Sequence, residues 1–298
     1  ITQSAAKSLM SFAEARSSSS RGNSSAPRRE EHFFDLPVIS FRALPCLRRS
    51  LQLRLLMAAL AAGPVLSPLP AETLTVAAAS SLASCLDDLH AAFTSAHPKI
   101  TVQTTLGASG TLFAQITHGA PFDVFLSADM TYPAALIQSG LAEGPAPTAF
   151  AEGRIALWTL RDSLDLSSGL PALTKTRSIA IAQPEYAPYG IAARKALERA
   201  GLWDTLKPRI VYGENIAQTA HFVASGNADA GIVANSVLHT PAYTGKGNYK
   251  LLPSEGLVQG AVLTRRARDN PAATTYIEFL TSPAAQKIFI RFGFSLPD

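Results

Sequence analysis

The chain has 298 residues, enough for one large domain or two medium ones, with the 47% hydrophobic and 16% charged content of an ordinary globular protein. Its formal charge of +4 is unevenly placed: residues 1–71 hold nine Lys and Arg against four Asp and Glu, whereas residues 72–298 hold 17 against 18. The near-neutral second part excludes a nucleic-acid footprint there, and Cys46 and Cys85, one on each side of the boundary, exclude a disulfide framework.

Residues 1–50 are Ser- and Arg-rich (Arg16–Arg21 reads RSSSSR) and show no sustained apolar period. Such a segment buries too little apolar surface to offset its ordering entropy, so a disordered or non-native leader is expected. A true start at Met10 or later would make the first residues an artefact of gene-start choice. Residues 51–71 read as a signal peptide: Arg48, Arg49 and Arg54, the apolar Leu55–Leu66, then Ser67–Ala71. The Arg48-Arg49-Ser-Leu run faintly resembles a twin-arginine signal, but ordinary basic charge accounts for it. No Cys follows the apolar stretch closely, which argues against a lipoprotein anchor. Cys85 is then expected to be a small buried hydrophobe without a partner.

From Glu72 onward strand and helix patterns alternate. Leu74–Ala79 is a short apolar run suited to a strand buried on both faces. Ser80-Ser81 follows it directly, and Leu82, Leu86, Leu89 and Phe93 recur at helical spacing opposite Asp87, Asp88 and His90. Ile100–Leu106 alternates as a strand, and Gly107-Ala-Ser-Gly110 turns into a helix over Thr111–His118. Asp123–Leu126 is a buried strand, after which Asp129 is expected to N-cap a helix that Gly140 stops. Further strands are expected at Arg154–Leu160, Ser178–Ala182, Ile210–Tyr212, Ala228–Ala234 and Leu257–Leu263. Helices are expected at Ile191–Ala200, from Gly213 to Val223, at Pro271–Leu280 and at Ala284–Phe292. Tyr243–Tyr249 reads as a Gly-rich surface turn and Arg265–Arg268 as a solvated one. The alternation argues an α/β protein with helix-covered sheets, and no fixed-period repeat is visible.

Chemistry concentrates at four turns that lead into helices: Ala79-Ser-Ser81, Gly107-Ala-Ser-Gly110, Pro188-Tyr-Gly190 and Gly213-Glu-Asn-Ile216. In α/β sheets ligands bind beyond the carboxyl ends of strands, where helix N-termini present unpaired N–H groups. None of the four turns contains Lys or Arg, so together they suit an ionised oxyanion held by neutral donors. For any one turn alone, a serine that merely N-caps its helix is the favoured explanation, so the reading rests on the several turns together. The histidines His90, His97, His118, His221 and His239 fall at no metal-ligand spacing, Asp123 and Asp129 are expected to be structural, and no nucleophile elbow, CxxC or HExxH motif is present.

At these same turns the chain resembles the periplasmic molybdate-binding proteins, the soluble receptors of molybdate ABC importers. The matching stretches are Thr75–Leu82, Ala108–Leu112, Pro121–Asp129 (PFDVFLSAD), Gln183–Gly190, Gly201–Leu206, Glu214–Val223, Ala230–Val233 and Gln286–Phe294, nearly all of residues 73–298 in the family's order. The resemblance implies a type II periplasmic-binding-protein fold of two α/β lobes, each a mixed sheet flanked by helices, with a hinge crossed twice. Lobe one is expected at residues 72–153 plus 253–298 and lobe two at 154–252. It further implies that Ser81 and Ser109 supply hydroxyl and backbone donors to the oxyanion, and Tyr189 and Ile216 backbone N–H groups. Any metal centre is met only through molybdate oxygens, with no direct metal ligand, no catalytic residue and no cofactor. The best-known members place a tyrosine hydroxyl where this chain has Ala234, so the site loses one donor or recruits Tyr189, Asn215 or Asn235. The implied role is a monomeric, non-enzymatic periplasmic receptor that captures molybdate or tungstate and delivers it to a membrane permease with its ATPase. The alternatives are a receptor of this fold for another oxyanion such as sulfate, or an enzyme using the interlobe cleft. The enzyme would need a nucleophile–base pair that the cleft turns do not offer. A regulatory sensor would need a helix-turn-helix that residues 1–71 lack.

Overall fold

Short runs of small and branched apolar residues form the inner strands of two sheets in the computed structural model, which describes residues 72–297. The expected leader at 1–50, the signal peptide at 51–71 and Cys46 lie outside the described residues. In chain order the strands are β1 (Glu72–Ala79), β2 (Ile100–Gly107), β3 (Val124–Ser127), β4 (Thr148–Gly153), β5 (Ile155–Thr159), β6 (Ile179–Ala182), β7 (Ile210–Gly213), β8 (Ala230–Ala234), β9 (Asn248–Leu251) and β10 (Leu257–Leu263). The principal helices are α1 (Leu86–Ala96), α2 (Ser109–Thr117), α3 (Thr131–Gln138), α4 (Pro188–Arg199), α5 (Ile216–Ala224), α6 (Pro271–Leu280) and α7 (Pro283–Arg291).

One sheet has the order β2-β1-β3-β10-β4 and the other β7-β6-β8-β5-β9. In each, the first three strands are parallel and the last two join antiparallel. The architecture is thus the expected two-lobed α/β fold with mixed sheets. Both lobes repeat one strand plan, a likeness that no fixed period in the sequence announces. The chain passes from the first sheet to the second between Gly153 and Ile155 and returns between Leu251 and Leu257.

Packing follows the two-residue period of the strands. Leu74, Val76 and Ala78 of β1 face a core with Phe93 of α1, Tyr276 of α6 and Phe289 of α7, whereas Ala77 faces Leu112 of α2 and Leu136 of α3. Phe93 and Tyr276 meet edge-on at 4.9 Å, and each such buried ring or leucine contributes about 1.5–3 kcal/mol. The second lobe gathers around Trp158, Leu197, Ile181 and Val233, all fully buried. The β4 and β9 strands were not expected. The β9 sequence NYKL is exposed throughout and joins the sheet by pairing with β5, so no apolar pattern marks it.

Several local expectations are corrected. Ser80–Leu82 forms a single 3-10 turn, and the helix begins only at Leu86; Leu82, Leu86, Leu89 and Phe93 are nevertheless all buried. The N-cap of α3 is Met130 rather than Asp129. The Asp129 carboxylate accepts from the Tyr132 N–H at 3.3 Å and the Ser127 hydroxyl at 2.9 Å, so it supports the helix from one position further out. The Arg265–Arg268 turn is not merely solvated: Arg266 pairs with the buried Asp123 at 3.1 Å and Arg268 with Glu143 at 2.9 Å. Cys85 is buried, its thiol donates to the Leu82 carbonyl at 3.2 Å, and burial pushes its pKa well up.

Candidate functional site

The first two parallel strands of each lobe, β1 with β2 and β6 with β7, end at one place between the sheets. Beyond them the structure brings Ser81, Ser109, Tyr189 and Ile216 to the wall of a single cavity. It leaves about 10 Å³ for the centres of water-sized atoms, the scale of one small ion and far below the roughly 300–1,000 Å³ of organic-ligand pockets. Among the described residues no charged side chain lines it.

Each donor is presented for a local reason. Ser109 opens α2, and its Oγ accepts from the Ala128 N–H at 2.9 Å, which fixes the hydroxyl and leaves its own proton free. Tyr189 stands in the first turn of α4, which begins at Pro188, three residues earlier than expected. Proline suits that position because its missing N–H would have no helical partner. Ile216 opens α5, whose N-cap Asn215 accepts from the N–H groups of Ala217 and Gln218, both at 3.0 Å. The Tyr189 and Ile216 N–H groups find no acceptor among the described residues, as expected of first-turn amides. Ser81 is fully buried in the 3-10 turn, and its Oγ has no partner among the described residues. Ser81 and Ser109 come from one lobe, Tyr189 and Ile216 from the other.

The lobes also touch directly. The Gly110 N–H donates to the Tyr186 carbonyl at 2.9 Å, the Ser236 hydroxyl to the Ser81 carbonyl at 2.8 Å, and Asn235 Nδ2 to the Gly293 carbonyl at 2.8 Å. These bonds describe a closed cleft. Ala234 is buried at the end of β8; of the groups expected to stand in for a tyrosine hydroxyl there, Asn235 donates from Nδ2 to Gly293, Asn215 accepts at its cap through Oδ1, and neither asparagine is among the residues that line the cavity, whereas Tyr189 is. Sequence reasoning missed Gln259 and Ser236, both buried behind Ser81's side of the cavity. A glutamine inside the apolar run LVQGAVL was the available signal. Among the described residues no group of three or more His, Cys, Asp or Glu could hold a metal ion.

Residues 74–295 match the family described as bacterial extracellular solute-binding protein. The chain belongs to this family. The binding protein is 36% identical over 199 residues to the molybdate-binding protein ModA of Rhodobacter capsulatus, covering 65% of this chain and 77% of that protein. It is 32% identical over 253 residues to ModA of Azotobacter vinelandii, covering 83% and 99%. The solved periplasmic molybdate-binding protein of Azotobacter vinelandii superposes with a TM-score of 0.71 at 32% identity, covering 76% of this chain and all of that one (100%). No helix among the described residues of the binding protein is long and apolar enough to cross a membrane.

Proposed function

We propose that this chain is an extracytoplasmic receptor that captures molybdate, and tungstate with it, between its lobes and delivers it to the permease and ATPase of an ABC importer. The observation that carries the reading is the convergence of Ser81, Ser109, Tyr189 and Ile216, from four separate turns, on one ion-sized cavity without a charged wall. Relatives at 36% and 32% identity that carry the name molybdate-binding protein support it. The Ser81 and Ser109 hydroxyls and the Tyr189 and Ile216 amides would hold the oxygens of the anion, and the metal itself would meet no protein ligand. No cofactor and no catalytic group enters the reading.

A dianion bridging donors of both lobes binds the closed form better than the open one and shifts the equilibrium toward closure. Only that form presents both lobes together to a membrane partner, and a monomer suffices for it. Neutral donors also select. A protonated phosphate would turn its O–H toward amides that only donate, or make a serine hydroxyl accept where it would otherwise donate to the anion, at a cost of about 1–3 kcal/mol. Sulfate is smaller, and a rigid cavity cannot contract fully around it. Calorimetric titration with molybdate, tungstate, sulfate and phosphate tests this: the first two bind tightly, and sulfate or phosphate binding as tightly as molybdate would refute the selectivity.

A further inference from the structure

Behind Ser81 lies a buried polar cluster that the ligand donors do not explain. The ring of Tyr189, whose amide faces the cavity, runs from lobe two into lobe one. Its hydroxyl is fully buried beside the side chains of Ser81, Gln259 and Ser236. Gly153, the last residue of β4, makes room for it, since a Cβ there would overlap Tyr189 Oη and come within 3.1 Å of Gln259 Nε2. Tyr189 Oη, Ser81 Oγ and Gln259 Oε1 all stop short of hydrogen-bond geometry, so three buried polar atoms stand adjacent and unpaired among the described residues. Natural interiors rarely tolerate this without a role for the group.

The remaining protons decide which atom serves which. Gln259 spends its amide protons on the carbonyls of Ala128 at 3.3 Å and Leu257 at 2.9 Å. Ser236 spends its proton on the Ser81 carbonyl at 2.8 Å. Once Ser81 Oγ–H donates into the cavity, its oxygen keeps only lone pairs. The neighbouring side-chain proton still free to satisfy them is that of Tyr189 Oη–H. Burial holds this phenol well above its usual pKa, so the proton is present at neutral pH. Gln259 Oε1 is the competing acceptor, but a hydroxyl donating to an anion becomes the better acceptor through cooperativity along the chain.

We infer that Tyr189 is a positioning residue that donates its hydroxyl proton to Ser81 Oγ while Ser81 donates its own to the oxyanion, forming a two-step relay from lobe two through lobe one to the ligand. The inference rests on the oxyanion reading above. Tyr189 would thus act on the ligand twice, directly through its amide and indirectly through Ser81, and link closure of the cleft to the strength of one donor.

A double-mutant cycle read by molybdate titration tests it. Tyr189→Phe keeps the ring and the amide, so circular dichroism stays that of the wild type while affinity falls roughly 10-fold, the loss of about one buried hydrogen bond. Ser81→Ala weakens binding at least as much, and the double variant binds no more weakly than Ser81→Ala alone. A merely structural tyrosine would instead add its loss on top of the serine's. Losses that multiply, or a Tyr189→Phe variant that binds like the wild type, overturn the relay while leaving the oxyanion site standing. A wild-type protein that takes up no molybdate overturns both.

Discussion

Ser109 illustrates how little of a donor's quality resides in its own identity. A serine hydroxyl turns freely until something else fixes its oxygen, and here the Ala128 N–H does so at 2.9 Å, leaving one proton aimed by exclusion. Ser109→Ala is therefore expected to lower molybdate affinity by roughly 10- to 100-fold, the range for a hydrogen bond to a charged partner. Because Ala128 N–H also loses its acceptor, the variant should melt slightly lower without ligand. Calorimetry and thermal unfolding separate the two effects, and unchanged affinity would remove Ser109 from the site. At Ala234 the small side chain brings no hydroxyl, and Asn215 and Asn235 are not among the residues that wall the cavity.

At the scale of elements, the strands that feed the cavity are pinned at their far ends by buried carboxylates. In lobe one, Asp123 accepts from the Thr75 N–H at 2.8 Å and hydroxyl at 2.7 Å and pairs with Arg266, locking β3 to β1. In lobe two, Asp229 precedes β8, accepts from the Arg177 N–H at 2.8 Å and pairs with Arg161 at 3.0 Å. Burial alone would raise the Asp229 pKa. The Arg177 N–H and guanidinium and the Arg161 charge outweigh it and hold the carboxyl below its ordinary value. A group depressed on folding contributes stability above its unfolded pKa, about 3.9, and that contribution fades as pH falls through the folded value. Asp229→Asn should therefore be less stable than the wild type at neutral pH, with the gap narrowing below about pH 4. Denaturant unfolding across pH measures it, and a gap that widens in acid would contradict the assignment.

For the whole molecule, closure needs backbone to meet backbone across the cleft. Gly110 allows this. Its N–H reaches the Tyr186 carbonyl, and an added Cβ would stand 2.7 Å from that carbonyl oxygen and 2.6 Å from Tyr132 Oη. Gly110 lies in helix α2, where alanine is locally favourable; the Tyr132 hydroxyl, in the same lobe, is the far end of a side chain that can swing aside, whereas the Tyr186 carbonyl across the cleft is backbone, so Gly110→Ala should chiefly oppose the closed form. Affinity for molybdate is expected to drop by roughly 10-fold or more, within the about 1–3 kcal/mol of overpacking. Small-angle scattering would show less compaction on adding molybdate. Wild-type compaction in the variant would mean that the lobes meet elsewhere.

Much of this protein was legible as sequence. The inner strands β1, β3, β6 and β8 announce themselves because strands buried on both faces must be apolar throughout, and the amphipathic α1 because its leucines share one face. The four site turns were visible as Ser- or Gly-bearing junctions of strand and helix. What the sequence left open was everything set by contacts between distant segments. The edge strand β9 has no pattern of its own, the turn after β1 is a three-residue 3-10 turn although Leu82 fits the helical spacing, and Asn235 donates to a carbonyl 58 residues away. The partnership of Tyr189, Gln259 and Ser81 joins residues from two lobes, and no local propensity encodes it. Side-chain period reports burial, which is local; the destination of a polar proton is decided only once the lobes come together.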